Sequence, residues 1–382
     1  MPRFPHSSRA AESLSDRVFG QLTPADPSIA VAPLHVGDTY LEPIGCARAE
    51  AQRSAEHPRL HNYAPVQGEP VLLDAIIDKV RRRSGVTLER DNVQVMVGAT
   101  CGLGVVSGAV LSPGDEVIVP SPYWPLIRGI VRSHGAVPIE VPIFTRLGEP
   151  GFDPVAAIAE AITPRTAAIY LNIPNNPTGA VLDDDVIDRL GTLAAKHDLW
   201  VLSDEVYEDT YFTEAPPRSC FVSPTMAERT IATHSLSKSY GLAGSRVGYT
   251  HGPAAIMEVV RNVQTFATYC APRPMQLGAA RALDEGDAWL ADARRLYGEA
   301  GRQTAAALGL PMPPAGTFLF FDLARAGTPA AVLQRALDGG VMLTPGSACG
   351  ADFGGWARLC FTSLPPDELR DAVGRLLPSL GD

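Results

Sequence analysis

From Val93 onward, short runs of β-branched and aliphatic residues alternate with longer segments of helical apolar spacing, and this alternation leaves few folds open. Strands separated by a helix pair in parallel, because only a crossover of a dozen or more residues returns the chain to the same edge. Such a sheet must then be covered on both faces. The pattern predicts strands at Val93 to Val97, Glu116 to Val119, Val137 to Val141, Ala167 to Asn172, Trp200 to Ser203, Thr230 to Thr233 and Arg246 to Tyr249. Helices are expected between them at Leu103 to Leu111, Leu126 to His134, Val155 to Ile162, Asp185 to His197 and Pro253 to Asn262. Ser112-Pro113-Gly114-Asp115 and Gly135 supply turn chemistry between units. The expected fold class is α/β, with a mixed, mostly parallel seven-stranded sheet between helices.

After Arg273 the texture changes. One long helical pattern runs from Met275 to Leu308, followed by a break at Pro311, Pro313 and Pro314. Beyond it the pattern predicts strands at Phe318 to Asp322, Val341 to Thr344 and Ala357 to Phe361, with helices at Pro329 to Leu337 and Asp367 to Leu377. That mixture reads as a smaller α+β domain. With 382 residues, enough for about two domains, the expected division is an N-terminal arm joined to the small domain over 1–43, a large domain over 44–273, and a small domain over 274–382 that includes the long connecting helix.

Several function classes drop out on composition. The net charge of -10 repels phosphate backbones and anionic membrane surfaces, so neither nucleic acid nor membrane is an expected partner. No stretch reaches the roughly eighteen apolar residues a bilayer span requires, and the opening Met1-Pro2-Arg3-Phe4-Pro5-His6 lacks an apolar signal core. The six cysteines are scattered without a C-x-x-C pair, which fits reduced thiols in a cytosol. His57 and His61 have helical spacing but flank Pro58, and no H-E-x-x-H is present, so no metal site is expected.

The basic residues comprise 29 arginines and three lysines, Lys79, Lys196 and Lys238. Arginine replaces lysine for solvated charge but never becomes a neutral amine nucleophile, so each lysine invites a specific reading. Lys79, beside Arg81, Arg82 and Arg83, and Lys196 both lie late in helical patterns and read as solvated surface charge. Lys238 stands apart, in Ser235-Leu236-Ser237-Lys238-Ser239-Tyr240-Gly241, with Arg246 eight residues on. Hydroxyls and a guanidinium around one lysine make a phosphate cradle and leave an amine available.

In parallel sheets, ligands bind beyond the carboxyl ends of the strands. Gly98-Ala99-Thr100 follows one strand and either holds a phosphate on helix-start amides or is simply a glycine-softened helix start. Its glycine spacing does not match a dinucleotide fingerprint. Asn175-Asn176-Pro177-Thr178-Gly179 follows another strand, as a loop that fixes amide side chains or as a structural turn. Asp204 and Tyr207 follow a third, although an Asp at a strand end is often only a helix cap. The run Asp183-Asp184-Asp185 reads as helix capping.

Taken in order, these segments, with Tyr63, Gly68, Leu72, Pro122-Tyr123-Trp124-Pro125 and Arg358, resemble the class I/II aminotransferases, pyridoxal 5'-phosphate enzymes of fold type I. The resemblance covers nearly the whole chain. It implies that Lys238 forms the internal aldimine with the cofactor and shuttles the substrate α-proton. It also implies that Asp204 pairs with the pyridinium nitrogen, while Tyr207 and Asn176 hydrogen-bond the ring oxygen. Gly98, Ala99, Thr100, Ser235, Ser237, Arg246 and Tyr63 of a neighbouring subunit would hold the phosphate, and Trp124 would stack on the ring. Arg358, helped by Gly37 and Asn176, would grip the substrate carboxylate. The implied protein is a homodimer that exchanges an amino group between an amino acid and a 2-oxo acid. A lysine found at the position of Thr100 in some dicarboxylate-specific members is missing, and a second carboxylate clamp is left to Arg128 or to the other subunit. The same cofactor chemistry also serves lyases and cyclases. A purely regulatory role would need an attached DNA-binding domain, for which the N-terminal arm is too short.

Overall fold

Two sheets emerge from this texture. In the computed structural model, which describes residue 14 and residues 23–381, the larger is built from β1 (Val93–Met96), β2 (Glu116–Ser121), β3 (Val137–Pro142), β4 (Thr166–Asn172), β5 (Trp200–Asp204), β6 (Thr230–Ser235) and β7 (Gly248–His251). Its order is β1-β7-β6-β5-β4-β2-β3, parallel except for β7, which runs against both β1 and β6. The sheet is therefore mixed and mostly parallel. Of the arm expected over 1–43, residues 1–13 and 15–22 lie outside the described residues.

Side-chain alternation along these strands decides what covers each face. Val117, Val119, Ala168, Tyr170, Leu202 and Ile231 pack in one cluster with Leu103, Ile127 and Met257, which belong to the helices after β1, β2 and β7. Their neighbours Ile118, Ile169, Leu171 and Val201 point the other way and pack with Val155, Ile158, Ile187 and Leu190. In chain order the helices are α1 (Gly45–Glu50), α2 (Pro70–Ser84), α3 (Gly98–Val110), α4 (Ile127–Ser133), α5 (Pro154–Glu160), α6 (Asp184–Lys196), α7 (Leu236–Ser239) and α8 (Ala254–Ala267). None among the described residues is long and apolar enough to cross a membrane.

The long pattern from Met275 to Leu308 resolves into α9 (Arg273–Glu285) and α10 (Asp287–Ala307). The break is at Gly286, where a Cβ would meet the Ala282 carbonyl oxygen at 2.3 Å and the Tyr240 ring at 2.5 Å, so only glycine allows that approach. Leu290, early in α10, belongs to one core cluster, and Ala300 and Ala305, late in it, to another. The second sheet, β8 (Phe318–Asp322), β9 (Thr344–Pro345) and β10 (Trp356–Cys360), is antiparallel in the order β8-β10-β9. It packs with α11 (Pro329–Asp338) and α12 (Pro366–Leu380), and with Ala32 and Leu34 from the N-terminal segment. The expected strand at Val341 to Thr344 shrinks to Thr344–Pro345, because Val341 bridges Ala32 instead.

Lys79 corrects the reading of it as solvated. Helical spacing places it on the same face of α2 as Leu72 and Ile76, and it is only 7% exposed. Its Nζ donates to Glu208 Oε1 at 2.8 Å and to Asp209 Oδ2 at 2.7 Å, and these carboxylates hold its pKa above the ordinary value against the cost of burial. Lys196 is exposed, as expected.

Candidate active site

The carboxyl ends of β1, β2, β4, β5 and β6 lie along one edge of the sheet, because β7 reverses direction twice over and leaves β1 parallel to β6. A cavity of about 410 Å³ opens there, bounded on the far side by Phe318 and Arg358 of the small sheet. That volume is typical of a small-molecule site. It gathers Gly37, Ala99, Thr100, Trp124, Asn176, Asp204, Tyr207, Ser235, Ser237, Lys238, Arg246 and Arg358 from segments more than 300 residues apart in the chain.

One end of the cavity is built for an anion. Helix α3 starts directly at Gly98, five residues before the predicted start at Leu103, so its first amides face the cavity edge beside Ala99 and Thr100. Gly98 has φ 73°, and a Cβ there would meet Arg246 Nη2 at 2.4 Å, so the guanidinium lies directly against this backbone. Arg246 precedes β7 rather than starting it, in a left-handed conformation (φ 52°) with Nη1 donating to the Ala243 carbonyl at 2.9 Å. Ser235 caps α7, its Oγ accepting from the Ser237 amide at 3.1 Å.

Lys238 sits in the single helical turn of α7, and its Nζ donates to the Gly37 carbonyl. Burial lowers its pKa; Asp38 and Cys360 oppose this, while Arg246 and Arg358 add to it. A lysine so placed reaches the neutral amine form more readily than one in water.

Asp204 ends β5 opposite Asn172 of β4. Its Oδ2 accepts from the Tyr170 hydroxyl at 2.7 Å and its Oδ1 from the Val206 amide at 3.3 Å. Burial nonetheless pushes its pKa up to about 6, with Tyr170, Val206 and His234 pulling the other way. A cationic partner would stabilise this carboxylate. Tyr207, whose own pKa is raised by burial, accepts from Asn176 Nδ2 at 3.2 Å, and Asn176 Oδ1 accepts from Arg358 Nη1 at 2.9 Å.

Arg358 is 3% exposed, stacks over the Phe318 ring at 4.3 Å and donates through Nη2 to the His35 carbonyl at 2.9 Å and Thr344 Oγ1 at 3.1 Å. Its Nε is buried without a partner, and no carboxylate pairs with it among the described residues. A guanidinium held in this way is available to a carboxylate ligand.

Two sequence candidates lie elsewhere. Tyr63 is 83% exposed, edge-on to Tyr269, and does not line its own chain's cavity. Arg128 pairs with Glu140 at 3.7 Å and is likewise outside the lining. Sequence reasoning missed Tyr170, Asn172, His35, Val36, Leu103 and Phe318. Asn172 was within reach of the strand-end rule. His35 and Val36 flank Gly37, which the family resemblance already marks, while Phe318 is brought in by the second sheet and nothing local marks it.

A family model for "Aminotransferase class I and II" matches residues 30–376. The chain is 36% identical over 326 residues to arginine–pyruvate transaminase of Pseudomonas aeruginosa, covering 82% of this chain and 81% of that one. It is 34% identical over 343 residues to aspartate/prephenate aminotransferase of Thermus thermophilus, covering 87% and 86%. Among solved structures, aspartate aminotransferase from Thermus thermophilus with maleate superposes with a TM-score of 0.86 at 28% identity, covering 98% of this chain and 99% of that one. N-succinyldiaminopimelate aminotransferase from Mycobacterium tuberculosis gives 0.84 at 29% identity, covering 91% and 93%.

Proposed function

The chain belongs to the class I and II aminotransferases and is a pyridoxal 5'-phosphate-dependent transaminase; from that premise we propose how its own residues divide the work. The cofactor supplies an aldehyde that condenses with amines and a ring that accepts the electron pair released at a substrate α-carbon. The cavity fits it: an anion corner at Gly98 and Arg246, a buried carboxylate at Asp204 whose pKa burial raises, and an amine at Lys238.

The α3 amides, Ser235, Ser237 and Arg246 would hold the phosphate through charge-assisted hydrogen bonds. Asp204 would hold a proton at the ring nitrogen, Tyr207 and Asn176 would orient the ring oxygen, and Trp124 would cover the ring. Arg358, with Gly37 and Asn176, orients the substrate by its carboxylate. Lys238 Nζ would hold the cofactor's aldehyde carbon and move the proton at the substrate α-carbon. Lys238 carries this reading, as the one lysine that lines the cavity.

The separate core groupings around the large and the small sheet support a large domain over 44–273 and a small one over 274–382, with 1–43 as arm and small-domain segment, while Ala279, Ala280, Ala282 and Leu283 of α9 and Leu290 of α10 pack back into the large-domain core. Exposure of Tyr63 outside its own cavity supports a homodimer in which it completes the neighbouring phosphate site, and six unpaired cysteines support a cytoplasmic location.

The purified protein should carry a visible-edge absorbance that Lys238→Ala abolishes, with turnover falling by at least about 10³-fold. An amino acid should bleach that band and a 2-oxo acid restore it. A colourless wild type after adding cofactor would end the reading, and ammonia release without bleaching would replace transamination by elimination.

A further inference from the structure

On the reading above, Asp204 serves the ring nitrogen, yet it is a buried carboxylate whose orientation at the cavity only hydrogen-bonding partners can set. We propose that Tyr170 is a positioning residue for Asp204, its phenol O–H fixing the carboxylate orientation and favouring the ionised form that a cationic ring nitrogen requires. Strand register supports this. Asn172 pairs with Asp204 and Tyr170 with Leu202, so two-residue periodicity puts Tyr170, Asn172, Leu202 and Asp204 on one face of the sheet. From that face Asn172 Nδ2 holds the Asp204 main-chain carbonyl at 3.0 Å and Tyr170 holds Oδ2 at 2.7 Å. The Tyr170 ring fills core space that phenylalanine would fill equally, so the hydroxyl adds nothing to packing and has Asp204 as its partner. Burial and the neighbouring carboxylate raise the phenol pKa well above its ordinary value, which keeps it a donor. The other titratable groups facing Asp204 are His234 on β6, the adjoining Glu205, and Tyr207.

The test strips cofactor from wild type, Tyr170→Phe and Asp204→Ala and titrates each with pyridoxal 5'-phosphate and with its 1-deaza analogue, in which carbon replaces the ring nitrogen. Tyr170→Phe should weaken pyridoxal 5'-phosphate by about tenfold and the deaza analogue by no more than about twofold, the size of one charge-assisted hydrogen bond felt only through Asp204. In the empty protein, infrared difference titration should show the Asp204 carboxyl ionising about one pH unit higher in Tyr170→Phe. Equal weakening of both ligands, or an unmoved titration, would reduce Tyr170 to core filling. If Asp204→Ala itself keeps the full preference for pyridoxal 5'-phosphate, the assignment of Asp204 fails first, and the role of Tyr170 with it.

Discussion

Replacing Gly98 by alanine tests the phosphate corner through a methyl group that touches no ligand. At φ 73° a side chain costs about 1–2 kcal/mol in backbone strain. The new Cβ would lie 2.4 Å from Arg246 Nη2 and 2.9 Å from its Cζ. Since carbon contacts settle at about 3.5 Å or beyond, the guanidinium must withdraw by about 1 Å. It does not withdraw freely, being tied to the Ala243 carbonyl at 2.9 Å. A phosphate bond stretched by that distance passes out of hydrogen-bonding range, and the loss of one such bond is about 1.5–3 kcal/mol, or about 10- to 100-fold in cofactor affinity. The strain is present with and without cofactor, so it lowers stability and leaves the affinity change to Arg246. Cofactor titration of the stripped protein, followed by quenching of tryptophan emission, should be run on Gly98→Ala, Arg246→Ala and the double variant. The double variant should bind about as weakly as Arg246→Ala alone, because both substitutions remove the same contact. Additive losses, or a Gly98→Ala affinity within about twofold of wild type, would refute the argument.

Two further outcomes follow from buried charge. Asp204 has a folded pKa of about 6 against an ordinary 3.8, so the folded protein retains a proton that the unfolded chain has released. Its relative stability contribution is therefore full below about pH 4 and lost as pH rises through about 6, a penalty of about 3 kcal/mol at neutrality. Asp204→Asn should stabilise the cofactor-free protein at about pH 7 and leave it unchanged at about pH 4, read by urea unfolding; equal effects at both would contradict it. Lys79→Met should destabilise by about 3–5 kcal/mol in the same assay, because Glu208 and Asp209 lose a buried counter-charge, while the cofactor absorbance stays intact. A loss below about 1 kcal/mol would show that Arg83 neutralises the pair unaided.

The strand-helix alternation was readable because every strand of the large sheet except the edge strand β3 buries both faces, so apolar runs stand out whatever lies above them. Site residues at or just beyond strand ends, such as Asp204, Asn176 and Lys238, were legible for the same topological reason. Lys79 was misread because three neighbouring arginines suggested a solvated end, when its phase relative to Leu72 and Ile76 already pointed inward. Tyr170 was hidden in an apolar run, since a phenol in a core strand looks like any other aromatic until its partner on the next strand is placed. Gly286 was lost inside a helical pattern, and part of what requires a glycine there is the close approach of the Tyr240 ring, 46 residues away in sequence.

The reversed strand β7 has a bearing on when this protein can first be loaded. As synthesis proceeds, the amides of Gly98 and the carboxylate of Asp204 leave the ribosome well ahead of Arg246, and β1 has no neighbour until β7 slots between it and β6. A nascent chain that has not yet delivered His251 holds half a phosphate grip on an unanchored edge. Cofactor capture thus waits for the segment through β7, and the substrate grip at Arg358 comes later still.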